Sequence, residues 1–345
     1  MRAVCKVEPG EGGIEICERD VPEPGPGEIR LRVGAAGICG TDMQIWRWAP
    51  RMARRMALPR TLGHEVAGTV DAVGPGVESP AVGARVALES HIFCGACRPC
   101  RLGDAHLCVN TTYPGIDIDG AFAEYVVVPA RIAWPVPGDV PFETAAMMEP
   151  FGIAVHAALA GAGVAGRAVL VNGCGPIGLM CVAACRALGA AAVLACDVNP
   201  LRLATAEAMG AGACLDARSD DVAASALRMT GGDGVDVAIE LSGTEAGFNA
   251  AFAALCKGGE LRLVGAPPAA IPVDFTHWLL KCPTLHTIHG RRIWDTWQRA
   301  SELLARGLVA LEPIRSHVLP LSEGLRGFEL ILAGEAVKPL LVPDP

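Results

Sequence analysis

The sequence predicts an α/β protein in two parts: a barrel-like domain of short strands over residues 1–150, then a doubly wound parallel sheet over 151–290. Three observations carry this. The chain has 345 residues, room for about two domains of ~150 residues and a sizeable core. Short strands and turns fill the stretch before Glu149. From Ala168 onward, all-apolar strands alternate with Ala-rich helical stretches, the pattern of a parallel sheet covered on both faces.

Taken in order, Pro22–Gly27 is a turn before Ile29–Val33, whose apolar–polar alternation is that of a half-buried strand. Val66–Val70 and Ala84–Leu88 are further strands, with a turn at Gly74–Gly76 between them. In the second part, strands are expected at Ala168–Asn172, Ala192–Cys196, Val235–Ile239 and Glu260–Val264. Helices are expected at Ile177–Leu188 and Pro200–Met209. The last ~55 residues hold a helix at Trp294–Arg306 and an amphipathic stretch at Gly324–Ala333, and suit completion of either domain.

Composition excludes several classes. Hydrophobic residues make up 51% and charged residues 19%, which is not a disordered chain. The net charge of −8 argues against nucleic acid or an anionic membrane as partner. The N-terminus lacks an apolar export segment. The most apolar stretch, Ala168–Cys196, is broken by Gly173, Gly175, Pro176 and Arg186, so no membrane span is expected. Fourteen cysteines without an export signal point to metal binding or burial in a reducing, cytoplasmic compartment rather than to disulfides.

The sharpest motif is Cys94-x2-Cys97-x2-Cys100-x7-Cys108. Four soft thiolates on one loop suit a tetrahedral zinc ion with no open position, hence a structural one; an iron–sulfur cluster or a redox pair are the alternatives. Cys39, in Gly-Ile-Cys-Gly-Thr-Asp42, and His64-Glu65 form a second candidate set. Cysteine, histidine and carboxylate make a zinc shell with one position left for substrate, although a lone His in an apolar run is more often a core residue. Glu149, acidic in an apolar run, is a further candidate; otherwise it is a carboxylate at a helix N-terminus before Pro150.

Gly173-Cys-Gly175-Pro176-Ile177-Gly178 follows a strand and opens a helix, and Asp197 ends the next strand nineteen residues later. That context makes it a dinucleotide fingerprint. The Asp197 charge opposes a 2′-phosphate and favours NAD over NADP, a preference that Arg202 tempers. Cys174, Cys181, Cys185 and Cys196 read as small buried hydrophobes. The arginines between Trp46 and Arg60 read as a solvated face rather than an anion-attracting lid. Arg291 and Arg292 are candidates for a subunit contact.

Together GICGTD, GHE, the four-cysteine loop and VNGCGPIG resemble, in order and over nearly the whole chain, the zinc-dependent medium-chain alcohol dehydrogenases. Four segments are similar to the threonine dehydrogenase branch: HIFCGACRPCRLGDAHLC, DGAFAEYVVVPA, EPFGIAVHAAL and IHGRRIWDTWQRASELLARGL. The resemblance implies a GroES-like catalytic domain (1–150), a Rossmann domain (151–290), a segment 291–345 returning to the first, and a homotetramer, with a homodimer as alternative. It implies a catalytic zinc on Cys39, His64 and Glu65, approached by Glu149, besides the structural one. It implies NAD contacts at Ile177, Asp197, Arg202, Val264-Gly265-Ala266 and Ile288-His289. The expected activity is NAD-linked oxidation of a small secondary alcohol to a ketone, with Thr41 accepting the hydroxyl proton and His91 near the substrate.

The chain departs from that branch at four places. Gln44 stands for a relay histidine, Trp46 for a tyrosine, Ile153 for an asparagine and His289 for a tyrosine. Gln cannot take up a proton near neutral pH. These changes keep a polyol, cyclitol or amino-cyclitol beside threonine as the expected substrate, and His91 as a replacement relay base.

Overall fold

A computed structural model describes residues 1–344. Its contacts divide the chain into two units, Met1–Glu149 with Arg315–Pro345, and Pro150–Ile314. The first unit opens with strands β1 (Arg2–Lys6), β2 (Ile14–Glu18), β3 (Glu28–Gly37), β4 (Arg60–Thr61), β5 (Glu65–Val73), β6 (Arg85–Leu88), β7 (Tyr125–Pro129) and β8 (Ala133–Pro135). The second contains β9 (Ala168–Asn172), β10 (Ala192–Asp197), β11 (Ala213–Asp216), β12 (Val235–Glu240), β13 (Leu255–Leu263) and β14 (Thr284–Thr287). The chain then supplies β15 (Arg315–Pro320) and β16 (Lys338–Val342) to the first unit.

In the first unit, a seven-stranded sheet runs β15-β16-β3-β5-β6-β8, with β7 also paired to β3, beside a small sheet β2-β1-β4. The alternation read in β3 is structural: Ile29, Leu31 and Val33 are buried, while Arg32 is exposed. They join Val66, Val70, Val86, Phe122 and Val126 in one core. The helix Gly324–Leu332 closes that core with Phe328, whose ring lies 5.6 Å from Trp46 and 6.4 Å from Phe122. The expected return of the chain comes later than residue 291. The helix Asp295–Ala305 belongs to the second unit, where the buried side chains of Trp297, Ala300 and Leu303 hold its apolar face.

The second unit is a six-stranded sheet in the order β11-β10-β9-β12-β13-β14, parallel throughout. The order reverses between β9 and β12, the topological switch point at which such sheets take ligands. Arg262 is fully buried and ties the sheet to the helix Met148–Leu159. It donates to the carbonyls of Ala157 (2.8 Å), Ala158 (3.0 Å) and Gly163 (2.8 Å), and its charge is met by Glu260 at 2.7 Å. Those of Ala157 and Ala158 are among the carbonyls that a helix C-terminus leaves without internal partners. Arg291 is fully buried, which removes it from any subunit contact; a Cβ on Gly152 would lie 2.7 Å from its Cδ. Among the described residues, no helix is long and apolar enough to cross a membrane.

Candidate functional site

Three clusters emerge, two in the first unit and one in the second. The four-cysteine loop folds on itself so that all four sulfurs lie within 4.8 Å of one another. Cys97 Sγ is 3.4 Å from that of Cys100 and 3.8 Å from that of Cys108. A zinc–thiolate tetrahedron with ~2.3 Å arms has edges of ~3.8 Å, so the loop already has the size of the ion's shell. Backbone N–H groups point at the sulfurs, from Cys94 and Asn110 to Cys108 (3.3 and 3.4 Å) and from Cys97 to Cys94 (3.4 Å). Hydrogen bonds from Ala96 and Cys97 pull the Cys94 thiol down to about 6, whereas burial and the Cys97 thiol push Cys100 up to about 12. Four crowded sulfurs cannot all ionise unaided, and a divalent ion resolves that conflict.

The second cluster forms where β3 and β5 run side by side. Their register pairs Gly37 with Glu65, which brings the turn after β3, holding Cys39, against the start of β5. A Cys39 sulfur, a His64 ring nitrogen and a Glu65 oxygen lie within 4.8 Å of one another. His64 is 6% and Glu65 1% exposed, so this is a sheltered donor set. Asp42, fully buried in the first turn of the helix Gly40–Trp46, accepts from the Cys39 backbone N–H at 2.8 Å, and its other oxygen faces His64 Nδ1 at 3.9 Å. Asp42 Oδ1 and His64 Nδ1 are buried without a hydrogen bond. Burial alone would lower the His64 imidazole, but Cys39, Asp42 and Glu149 outweigh it and raise it to about 10. A pocket that attracts a proton this strongly is one that a cation satisfies, so the donors fit a metal ion with a position left for substrate.

Around this set, the helix Gly40–Trp46 carries Thr41, partly buried, and Gln44, exposed. Glu149 is 4% exposed and acts on both His64 and Glu65 by charge, but stands outside the 4.8 Å set. The pairing of Ala67 with Ala87 runs β6 toward the Glu65 end of β5, which sends Glu89, Ser90 and His91 the same way. His91 is 4% exposed, and Glu89 accepts from both its ring Nδ1 (2.7 Å) and its backbone N–H (2.8 Å). A carboxylate on Nδ1 fixes the tautomer with the lone pair on Nε2.

Three members of this neighbourhood escaped the sequence reading as site residues: Asp42, Glu89 and Lys338. Asp42 and Glu89 carried a faint signal, being acidic beside a named candidate. Lys338 carried none. It is 1% exposed, makes an ion pair with Glu65, and donates to the Ile38 carbonyl at 2.9 Å. The arginines between Trp46 and Arg60 divide. Arg55 pairs with Asp117 at 2.6 Å and Arg60 with Asp119 at 3.2 Å, whereas Arg47, Arg51 and Arg54 are exposed.

The third cluster occupies the switch point of the second unit. Gly173, Gly175, Asp197 and Arg202 line one cleft of about 690 Å3 with Ser242 and Thr244. The glycines do different work. Gly173 has φ +98°, and a Cβ there would strike the Ser242 backbone at 2.6 Å. A Cβ on Gly178, in the helix Pro176–Ala187 with Ile177, would lie 2.0 Å from the Gly173 carbonyl. A Cβ on Gly175 would meet nothing, so this glycine borders open space. That is the room a pyrophosphate needs at a helix N-terminus. Asp197 accepts from the N–H groups of Cys174 (2.7 Å), Val198 (2.8 Å) and Asn199 (2.9 Å), with Arg202 at 3.7 Å. Val264 and Gly265 leave β13 bonded to the Glu240 carbonyl, Ala266 abuts Gly243, and Ile288 bonds Leu263 at 2.8 Å just past β14, with His289 next and exposed. All of these positions lie at or beyond the carboxyl ends of parallel strands. Cys174, Cys181, Cys185 and Cys196 are fully buried and burial pushes their thiols up, so none is a ligand.

Two family models match the chain: an alcohol dehydrogenase GroES-like domain over residues 25–138 and a zinc-binding dehydrogenase over 176–306. The chain is 40% identical to the L-threonine 3-dehydrogenase of Pyrococcus horikoshii, over 98% of its own length and 97% of that protein. Among solved structures, it is similar to an alcohol dehydrogenase from Thermus sp. ATN1, with TM-score 0.91, 31% identity and full coverage of both chains. It is similar also to galactitol-1-phosphate dehydrogenase from Escherichia coli, with TM-score 0.91, 27% identity, and coverage of 99% of this chain and 100% of that one.

Proposed function

From the premise that the chain belongs to the zinc-binding medium-chain alcohol dehydrogenases and is an oxidoreductase acting on CH–OH, we propose that it oxidises a small secondary alcohol to the ketone with NAD, in the manner of an L-threonine 3-dehydrogenase. The observation that carries the reading is the Cys39–His64–Glu65 donor set, sheltered and within 4.8 Å. Cys94, Cys97, Cys100 and Cys108 hold a second, structural zinc. When bound, the catalytic zinc acidifies the alcohol, and the nicotinamide takes the hydride.

The chain's own residues do the rest. Asp42 orients Cys39 through its backbone N–H and acts on His64 by charge. Thr41 accepts the hydroxyl proton. Gln44 cannot carry that proton further, but His91 can, with Glu89 fixing Nδ1–H and leaving Nε2 as the base. Glu149, close enough to influence both His64 and Glu65 by charge, would be the further carboxylate available to a metal held there. The Gly173–Gly178 turn receives the pyrophosphate, and Asp197 and Arg202 meet the adenosine ribose, with the strand ends at Val264–Ala266 and Ile288–His289 lining the cofactor.

A substrate panel tests this: NADH absorbance with L-threonine, 2,3-butanediol, sorbitol, inositol and galactitol 1-phosphate. Turnover on at least one is expected, and Thr41→Ala lowers it by about a hundredfold while NADH still binds. No turnover on any, with zinc and NAD bound, would reduce the protein to a non-catalytic binder. A polyol, cyclitol or amino-cyclitol substrate is the second reading, favoured by the exposed Gln44 where the threonine branch has a histidine.

NAD rather than NADP is supported by the charge of the cleft, which Asp220 and Asp221 share with Asp197. Replacing Asp197 by alanine removes the ribose acceptor and the repulsion of a 2′-phosphate. The ratio of kcat/KM for NAD over NADP falls by at least about tenfold, a loss of ~1.4 kcal/mol in discrimination. An unchanged ratio would assign the choice to other residues. A homotetramer, or failing that a homodimer, is supported by the unpaired edge of β14 and by Phe275, Leu279 and Leu280, which are 80%, 80% and 66% exposed beside it. The fourteen thiols suit the reducing cytoplasm.

A further inference from the structure

Lys338 is the buried cation that the donor set did not require. It starts β16, which pairs with the end of β3 so that Leu340 faces Gly37. From there the side chain reaches inward, gives one hydrogen bond to the Ile38 carbonyl at 2.9 Å, and meets the Oε2 of Glu65. The backbone makes room for this contact. A Cβ on Gly37 would lie 2.5 Å from Glu65 Oε2 and 2.9 Å from Lys338 Cε, so glycine there leaves the pair its room.

A fully buried ammonium beside a divalent ion is repelled by it, so its presence needs a compensating role. The charges supply one. Cys39 as thiolate, Asp42, Glu65 and the nearby Glu149 bring four negative charges into this neighbourhood; against them a divalent ion brings two positive charges and Lys338 a third. Lys338 therefore offsets charge that the ion leaves unmatched, and it engages one particular oxygen. With Oε2 taken, Glu65 has a single oxygen to offer, and the adjacent cation weakens that oxygen as a donor.

Resting on the reading that Cys39, His64 and Glu65 hold a metal, we propose that Lys338 is a positioning residue that reserves one oxygen of Glu65 and so limits Glu65 to one-oxygen, exchangeable ligation. The consequence is an ion with three protein donors and a position kept open for substrate. Without Lys338, Glu65 would close on the ion with both oxygens and fill that position.

The test uses the full-length protein with zinc in the four-cysteine loop and cobalt at the second site, its visible spectrum taken as a difference against Cys39→Ala. Absence of any metal beyond the four-cysteine ion in the wild type would sink the underlying metal reading, independently of Lys338. With the metal present, the wild type gives the intense bands of four-coordinate cobalt; weak five-coordinate bands in the wild type would overturn the proposal without any variant. Lys338→Met converts the spectrum to five-coordinate and slows chelator-driven cobalt release by about tenfold, the low end of what outer-shell partners contribute to metal affinity. Lys338→Leu, which likewise offers no donor to Oε2 but fills the space with a different shape, gives the same change should the methionine variant fail to fold. In a Glu65→Gln background, Lys338→Met leaves the coordination number at four. A wild-type spectrum and release rate in both lysine variants, or a five-coordinate spectrum that persists in the Glu65→Gln background, would show that Lys338 does not act through Glu65.

Discussion

Cys39→Ala is expected to remove one of two bound metal ions and to lower dehydrogenase turnover by about a thousandfold, while NADH binding stays within about twofold of wild type. The size follows from what the ion supplies. Stabilising the alkoxide charge is worth several kcal/mol, and ~4 kcal/mol is about three decades of rate at 25 °C. The selectivity follows from the fold. Cys39 is held by its backbone N–H, which Asp42 accepts at 2.8 Å, and that bond survives loss of the sulfur, so the turn keeps its shape. The dinucleotide cleft lies wholly in the unit Pro150–Ile314, which contains neither Cys39 nor its partners. Metal analysis, initial rates of NADH formation and NADH fluorescence read the three quantities separately. Two ions still bound, or turnover within about tenfold of wild type, would detach Cys39 from the chemistry.

The second large effect is structural. Cys97→Ala is expected to release the other ion, to lower the melting temperature by ~10 °C, and to open the 94–108 loop to proteases while the remainder of the chain stays folded. That corresponds to ~3 kcal/mol for a unit of this size, well under the ~10–16 kcal/mol that structural zinc contributes to isolated finger peptides. The loop has little else to hold it. Its regular structure is a four-residue helix, Arg98–Arg101, and a single 3-10 turn, Ala105–Leu107, and Leu102 and Leu107 are exposed. The sulfur of Cys97 lies 3.4 Å from that of Cys100 and 3.8 Å from that of Cys108, so no disulfide closes the loop. Cys97 and Cys100 are adjacent enough to oxidise once the ion is lost, so the melting experiment is run under reducing conditions. In a Cys39→Ala background, which lacks the other ion, a chelator should lower the melting temperature of the protein with an intact loop to that of the Cys97→Ala protein and leave the latter unmoved. Equal melting temperatures for wild type and variant would make the loop self-sufficient.

Much of both sites was legible because their signals are local. Cysteines at spacings of two, two and seven residues share one loop whatever the rest of the chain does, and the structure closes that loop into a single cluster. Gly173, Gly175 and Gly178 each answer a short-range demand: a positive φ, open space, and close backbone packing at 2.0 Å. The apolar alternation of β3 and the continuous apolar runs of β9 and β10 are likewise set by immediate neighbours. The first limit of such reading appears at Arg291. A charged residue beside a predicted cofactor edge reads as surface, yet it is fully buried, because the helix holding Gly152 leaves room for it.

By itself, then, the sequence determined the two kinds of domain, the loop that gathers four sulfurs, the glycine turn between β9 and the helix after it, and the pairing of Cys39 with His64 as candidate donors. The physical reason is that each depends on side-chain type and spacing within one element or between two adjoining strands. Only the tertiary structure decided where the chain returns, at Arg315 rather than residue 291, and which buried charges face one another. Lys338 meets Ile38 across three hundred residues, and Asp42 faces His64 only once β3 and β5 are aligned, whereas the bonds of Asp42 to Cys39 and of Glu89 to His91 span three and two residues. A buried ion pair is selected by the geometry of the folded chain, since the cost of burying each charge is offset only by the partner that the topology brings to it.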